Sequence, residues 1–278
     1  MNEIFKDIKE QYRYNDVSQK LIFWNIAIFI FSLAMFFQFK LGIFSFPNYV
    51  ALSSNPQQFS FFPWTFITYS FFHADFFHLL SNMLFLFFAG RLFFTFFNAN
   101  QFLATYFFGA TVSGIVYVLV QHFYFSDNQI VGASGAVLAV FFTVVFYSPL
   151  YLVRIPLVGI VKLWHIGFII LLLNVIYFAV ENTGGHVAHL AGIGFGYLNL
   201  FLLKKGFDLS KLFVFKKSKK NTTFKKVYKT KSNVSAIPQI KEKDIIQKQI
   251  DDILDKISKS GYDSLTKEEK EFLFKVNQ

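Results

Sequence analysis

Six nearly uncharged stretches, each close to 20 residues and five of them standing almost back to back over residues 77–203, leave this chain few ways to fold. They cover residues 21–39, 77–97, 101–121, 131–147, 156–180 and 187–203. A bilayer core about 30 Å thick takes roughly 20 apolar residues per helix, and an apolar span must satisfy its backbone internally. A large soluble core does not explain so many consecutive runs. Composition agrees: 54% of residues are hydrophobic and only 16% charged, with 42 Phe, too apolar for an ordinary soluble domain of this length. The expected fold class is an all-α membrane protein with six transmembrane helices. The first run follows a polar arm and precedes no small-residue cleavage site, so it reads as a retained span. Cysteine is absent, which excludes disulfides and thiolate metal sites.

Six spans put both termini on one side, and the basic residues say which. With cytoplasmic termini, the inner segments hold Lys6, Lys9, Arg13 and Lys20, then Arg154 and Lys162, then a basic tail, with Arg91 near the inner end of the second span. The outer segments hold only Lys40. This is the positive-inside pattern of a plasma membrane protein. The net charge of +10 therefore reflects topology and contact with anionic membrane lipids, and no nucleic-acid partner is expected.

Four regions are expected: a cytoplasmic arm over 1–20, a six-helix domain over 21–203, a basic linker over 204–239 and a cytoplasmic helical hairpin over 240–278. Residues 40–76 form a long aromatic outer segment suited to the membrane interface. The linker carries eleven Lys between Lys204 and Lys231 against one acid, Asp208. Beyond it Ile246, Ile250, Ile253 and Ile257 recur at helical spacing, Gly261 stops that helix, and Thr266 with Glu269 forms a capping box for the next. The hairpin's apolar stripe packs internally or on a cytoplasmic protein partner.

Polar groups inside spans are expensive, and here they converge. His73, His78 and Asn82 stand around the start of the second run, Ser134 at the start of the fourth, and His186 and His189 at the start of the sixth. All three segments run inward from the outer face. A Ser hydroxyl needs a base to become a nucleophile, which suits Ser134 and His189. The backbone N–H of Ser134, with the side chains of His78 and Asn82 on one helix face, are donors of the type that stabilise an oxyanion. Asp75, Asp127 and Glu181 fall in outer loops, so a Ser-His dyad is expected rather than a triad. Gly132 and Gly135 allow a sharp turn and close approach at Ser134, while Gly192 and Gly196 make a small-residue stripe beside His189.

These residues resemble the rhomboid family of intramembrane serine proteases. The match comprises His73-x4-His78-x3-Asn82, Gly132-Ala133-Ser134-Gly135 and Ala188-His189-x2-Gly192-x3-Gly196, in order on the second, fourth and sixth helices. The resemblance implies a bacterial-type six-helix bundle acting on transmembrane protein substrates without a cofactor or metal. It implies Ser134 as nucleophile, His189 as base, His78, Asn82, the Ser134 N–H and Gly132 at the oxyanion, and His73, Gly135, Gly192 and Gly196 as structural neighbours. Two positions depart from the family pattern. Thr65 follows Trp64 where members carry Arg, and Leu138 replaces a Tyr that stacks on the base, so the His189 ring must be held otherwise.

Two other function classes compete. A rhomboid-like binding protein without activity would typically lose the Ser or the His, and both are present. A metalloprotease or metal transporter built on His73, His78, His186 and His189 would lack both an HExxH motif and a nearby intramembrane carboxylate. His186 is the rival for the role of base, since it lies on nearly the same helix face as His189. His122 and His165 are expected at the interface.

Overall fold

The computed structural model of the chain describes residues 16–38, 41–124, 128–156, 158–180, 183–212 and 239–276. Lys6, Lys9, Arg13, Lys40, Asp127, Glu181 and the basic segment 213–238 lie outside the described residues. The chain divides into two units, Met1–Ser218 and Lys219–Gln278.

In the first unit helix α1 spans Val17–Met35. It starts ahead of the apolar run, inside the expected arm, because the Asp16 carboxylate accepts the Gln19 N–H at 3.0 Å and caps it. The outer segment follows with strands β1 (Phe37–Gln38), β2 (Ile43–Phe44) and β3 (Leu52–Ser53) and short helices α2 (Pro56–Phe61) and α3 (Thr65–Thr68). Helix α4 (Phe76–Phe93) begins where Asp75 accepts the His78 N–H at 2.8 Å. Helix α5 (Ala99–Tyr124) leads to strand β4 (Gln129–Ile130) and helix α6 (Ser134–Tyr147). Strands β5 (Leu152–Ile155) and β6 (Gly159–Lys162) form a hairpin before helix α7 (Leu163–Val180), and helix α8 (Thr183–Lys204) closes the bundle.

The fifth run was expected to span from residue 156. Its helix begins instead at Leu163, because residues 152–162 pair as a hairpin whose turn carries Pro156 and whose return strand starts at Gly159, with φ +103°. Beyond α8 the chain does not leave at once as a solvated linker. Gly206 turns it at φ +85°, and Asp208 accepts from the Gln101 side chain at 3.1 Å, seating residues 209–212 against α5.

Helices α1, α4, α5, α7 and α8 are long and apolar enough to cross a membrane. Helix α6 has 14 residues, about 21 Å, too short for a whole bilayer. It is the core of the bundle: every residue from Gly135 to Val145 is buried, against α4, α5 and α8, with α7 lying more lightly on it. A helix enclosed by protein and starting below the surface needs fewer residues than one that faces lipid.

Small residues set the spacing. A side chain on Gly192 would stand 2.2 Å from the Gly135 carbonyl oxygen, and one on Gly196 2.9 Å from the Ala139 carbonyl oxygen. Helices α6 and α8 therefore touch backbone to backbone. Outward, the bundle is apolar: α7 buries only Leu163, Gly167 and Asn174 and turns Phe168, Ile169, Leu172, Val175 and Ile176 outward. An exterior of that kind suits lipid rather than water.

The second unit contains helices α9 (Gln239–Ser260) and α10 (Lys267–Val276). Gly261, with φ +78°, ends α9. Thr266 and Glu269 form the capping box of α10, with Thr266 N–H to Glu269 Oε2 at 2.8 Å and Glu269 N–H to Thr266 Oγ1 at 3.3 Å. Ile253 and Leu265 are buried, and Lys256 reaches Glu269 at 2.9 Å.

Candidate functional site

The approach to Ser134 is built by the outer segment. Strand β4 pairs with β3, Leu52 opposite Ile130 and Ser53 opposite Gln129, and Ser54 and Asn128 exchange further bonds, among them Ser54 N–H to Asn128 O at 3.0 Å and Asn128 N–H to Ser54 Oγ at 3.1 Å. The Gly132 N–H then donates to the Tyr69 carbonyl at 3.0 Å. Two distant stretches of chain thus hold residues 128–132 before the helix starts. Trp64 anchors the same segment, its indole N–H donating to the Tyr49 carbonyl at 3.0 Å. An Arg after Trp64 is not needed for that bond.

Gly132 has φ +135°, a value that L side chains rarely adopt, and a Cβ there would lie 2.8 Å from His78 Cε1. Its conformation and its missing side chain both make room for the His78 ring. The sequence suggests Gly132 among the oxyanion groups, but its N–H is committed to Tyr69, so it contributes shape and not a donor. Ser134 opens α6, where first-turn N–H groups have no intrahelical acceptor. From α8, His189 presents Nε2 at 2.6 Å from Ser134 Oγ.

The structure therefore brings Ser134 and His189 into contact, with His78 alongside. Asn82 is buried one turn below His78 and donates one amide hydrogen to the His78 carbonyl at 2.8 Å, leaving its other hydrogen for the site. His73 is fully buried behind them, edge-on to His78 with ring centres 5.2 Å apart. Burial first, and the neighbouring His78 second, push its pKa down to about 3. Gly135, Gly192 and Gly196 line the α6–α8 seam. His122 and His165 are exposed and take no part.

Asn174 on α7 carries no sequence expectation, yet its Oδ1 lies 2.7 Å from His189 Nδ1 and 3.0 Å from His186 Nδ1. His186 packs edge-on against His189, ring centres 5.4 Å apart, and stacks on Tyr177 at 5.8 Å. These groups hold the His189 ring in place of a stacking residue at Leu138. The available signal was an amide alone in the apolar run of residues 163–180.

Two cavities meet at Ser134, His78 and His189. One, about 400 Å³, is lined by Asp75, Gln129, Gly132, Gly185 and backbone around them. The other, about 450 Å³, lies between α4 and α7 and is mostly apolar, lined by Ser81, Asn82, Phe85, Leu138, Ile170 and Asn174. A hydroxyl bonded to an imidazole at this junction can be deprotonated and can meet both a chain from the apolar side and water from the other. Among the described residues no three His, Cys, Asp or Glu side chains gather as metal ligands.

Membrane-spanning helices around a short buried helix with a Ser-His contact at its start define an integral membrane protein with a candidate site at the core of its bundle. Residues 61–206 match the rhomboid domain, and the chain belongs to the rhomboid family. Residues 241–275, the C-terminal helices, match a family of unknown function, DUF6576. No curated protein matches the chain.

Proposed function

We propose that this protein is an intramembrane serine endopeptidase that cuts transmembrane proteins near the outer end of their membrane segment, with Ser134 as nucleophile and His189 as general base. The observation that carries this reading is the 2.6 Å approach of Ser134 Oγ to His189 Nε2, at the junction of a cleft with a mixed polar and apolar lining and an apolar groove.

His189 Nε2 takes the hydroxyl proton as Oγ attacks the scissile carbonyl. The tetrahedral oxyanion is met by the Ser134 N–H and by the side chains of His78 and Asn82. His189 returns its proton to the leaving amine as the C–N bond breaks, giving an acyl-enzyme. Water from the cleft, activated by the same imidazole, releases the acid and restores Ser134. A peptide bond in an intact helix is screened, so the substrate must unwind locally in the groove between α4 and α7. Helix α7 and the outer loops act as the gate, which the light packing of α7 on α6 supports.

Arg91 in the last turn of α4 and Arg154 and Lys162 in the hairpin before α7 support cytoplasmic termini and a site facing outward, in a bacterial inner membrane. The arm, six-helix domain, basic linker and cytoplasmic hairpin are the proposed regions.

The test is labelling with a fluorophosphonate probe, together with cleavage of a single-span reporter in proteoliposomes. Labelling and cleavage are abolished in Ser134→Ala and His189→Ala and survive chelators. Cleavage that persists in Ser134→Ala, or stops with a chelator, overturns the reading.

A further inference from the structure

We propose that Asn174 is the positioning residue of this site: its side-chain carbonyl, delivered by α7, fixes the tautomer and orientation of His189. The proposal rests on the protease reading above.

The hydrogen-bond chain has one consistent assignment. Asn174 Nδ2 donates to the Ile170 carbonyl at 2.9 Å, and a carbonyl only accepts, so the amide nitrogen is the end that faces the backbone of its own helix. The oxygen therefore faces the imidazoles, and an amide oxygen likewise only accepts. Hence the hydrogen of neutral His189 sits on Nδ1, 2.7 Å from that oxygen. Nε2 is then bare and can take the proton of Ser134, 2.6 Å away. The other tautomer would set a bare Nδ1 against the amide oxygen and an N–H against the hydroxyl that must be deprotonated.

The same oxygen has a second lone pair, and His186 Nδ1 lies 3.0 Å from it. His186 is clamped between Tyr177, three residues after Asn174 on the same face of α7, and the edge of His189. Helix α7 thus supplies both an acceptor and a wall. Asn174 is the only polar residue among those that α7 buries, the others being Leu163 and Gly167. A helix seated by packing alone would carry an aliphatic residue there, since an amide in an apolar span needs a reason. When His189 takes the proton, the carbonyl dipole faces the developing charge, the part that a carboxylate plays in a triad.

The experiment compares the full chain with Asn174→Leu, which removes the acceptor, and Asn174→Asp, which keeps one. It reads kcat and KM on a single-span reporter, fluorophosphonate labelling, and the ¹⁵N shifts of His189. In Asn174→Leu kcat falls roughly 10- to 100-fold, between the worth of an ordinary hydrogen bond and that of a base held in the wrong tautomer. KM stays within about threefold, because bound substrate touches the groove and not the Nδ1 side of the ring. Asn174→Asp recovers most of the rate. Wild-type His189 shows a protonated Nδ1, and Asn174→Leu shows mixed tautomers. Should Asn174→Leu fail to fold, Asn174→Ala carries the same comparison. Wild-type kcat and an unchanged tautomer in Asn174→Leu, with Ser134→Ala inert, sink this inference and leave the protease reading standing. A wild type that neither labels nor cleaves sinks the protease reading, and the ¹⁵N shifts still decide whether Asn174 fixes the ring.

Discussion

Replacing Gly192 by Ala should disable the site without touching a reacting group. The added Cβ would stand 2.2 Å from the Gly135 carbonyl oxygen, where ordinary contact begins at 3.4 Å. Helices α6 and α8 must then separate by about 1.2 Å (3.4 less 2.2), since a close-packed interior has no slack to absorb it. Gly135 follows Ser134 directly, and His189 lies one turn before Gly192, so the displacement reaches the dyad almost undiminished. The 2.6 Å contact lengthens to about 3.8 Å, past the range of a hydrogen bond. A misplacement of about 1 Å costs on the order of 100-fold in rate, and overpacking costs about 1–3 kcal/mol of stability. The same helix supplies its own controls. At Gly196 the nearest atom is 2.9 Å away, so the shift is about 0.5 Å and the expected loss under about fivefold. At Gly194 nothing lies within 4 Å, so Ala there leaves the rate unchanged. Reporter cleavage and fluorophosphonate labelling in proteoliposomes, with thermal unfolding in detergent, rank the three variants. Equal activity in Gly192→Ala and Gly194→Ala would refute the reasoning, because it would mean that the seam is not the ruler that sets the Ser-His distance.

Gly132→Ala meets both a φ of +135° and a His78 ring atom at 2.8 Å, so labelling should drop at least about tenfold while Gly42→Ala, with open space at φ +69°, leaves it unchanged. His73, buried and held neutral down to about pH 3, titrates near 6.5 when unfolded. Below that pH the unfolded state binds the extra proton, so stability falls as pH drops from about 6.5 toward 3. Thermal unfolding in detergent should show this slope in the wild type and a shallower one in His73→Gln; equal slopes would refute it. The chain has no Cys, which makes cross-linking across the lateral groove clean. Joining Phe85→Cys on α4 to Ile170→Cys on α7 with a short bifunctional reagent should reduce cleavage of a membrane-embedded reporter several-fold, and leave labelling by a small fluorophosphonate intact. Unchanged cleavage would remove α7 from the role of gate.

What could be read in the sequence was whatever leaves a local mark. Apolar runs separated by polar breaks locate the long helices to within a few residues, apart from the start of α7, and His, Ser and Asn inside such runs stand out because lipid penalises them. The hairpin over 152–162 leaves no such mark. Leu152, Val153, Ile155, Val158, Ile160 and Val161 are apolar and largely β-branched, which suits the end of a membrane helix as well as a short strand, and only pairing decides between them. The shortness of α6 is equally invisible, since it depends on neighbours that shield it.

Asn174 is the instructive miss, because it carried the same local signal as His78 or His189 and no motif around it. Residues 171–176 read Leu, Leu, Leu, Asn, Val, Ile, and an amide there has no meaning until α7 is laid beside α8. The meaning is then specific: the acceptor for the base sits on the helix that borders the lateral groove, which is otherwise seated by Leu163, Gly167 and the partly buried Ile166, Ile170 and Leu171. Ser134 and His189 are set by the α6–α8 seam, whereas the tautomer of His189 is set by α7, which packs on α8 and only lightly on α6. The Ser-His distance is set across the α6–α8 seam and the proton position by α7, and both meet in the His189 ring. Gly192→Ala moves the helix that carries His189, and so shifts the ring from Ser134 and from Asn174 together; combined with Asn174→Leu it should therefore lose less than the product of the two single losses, both acting through one imidazole.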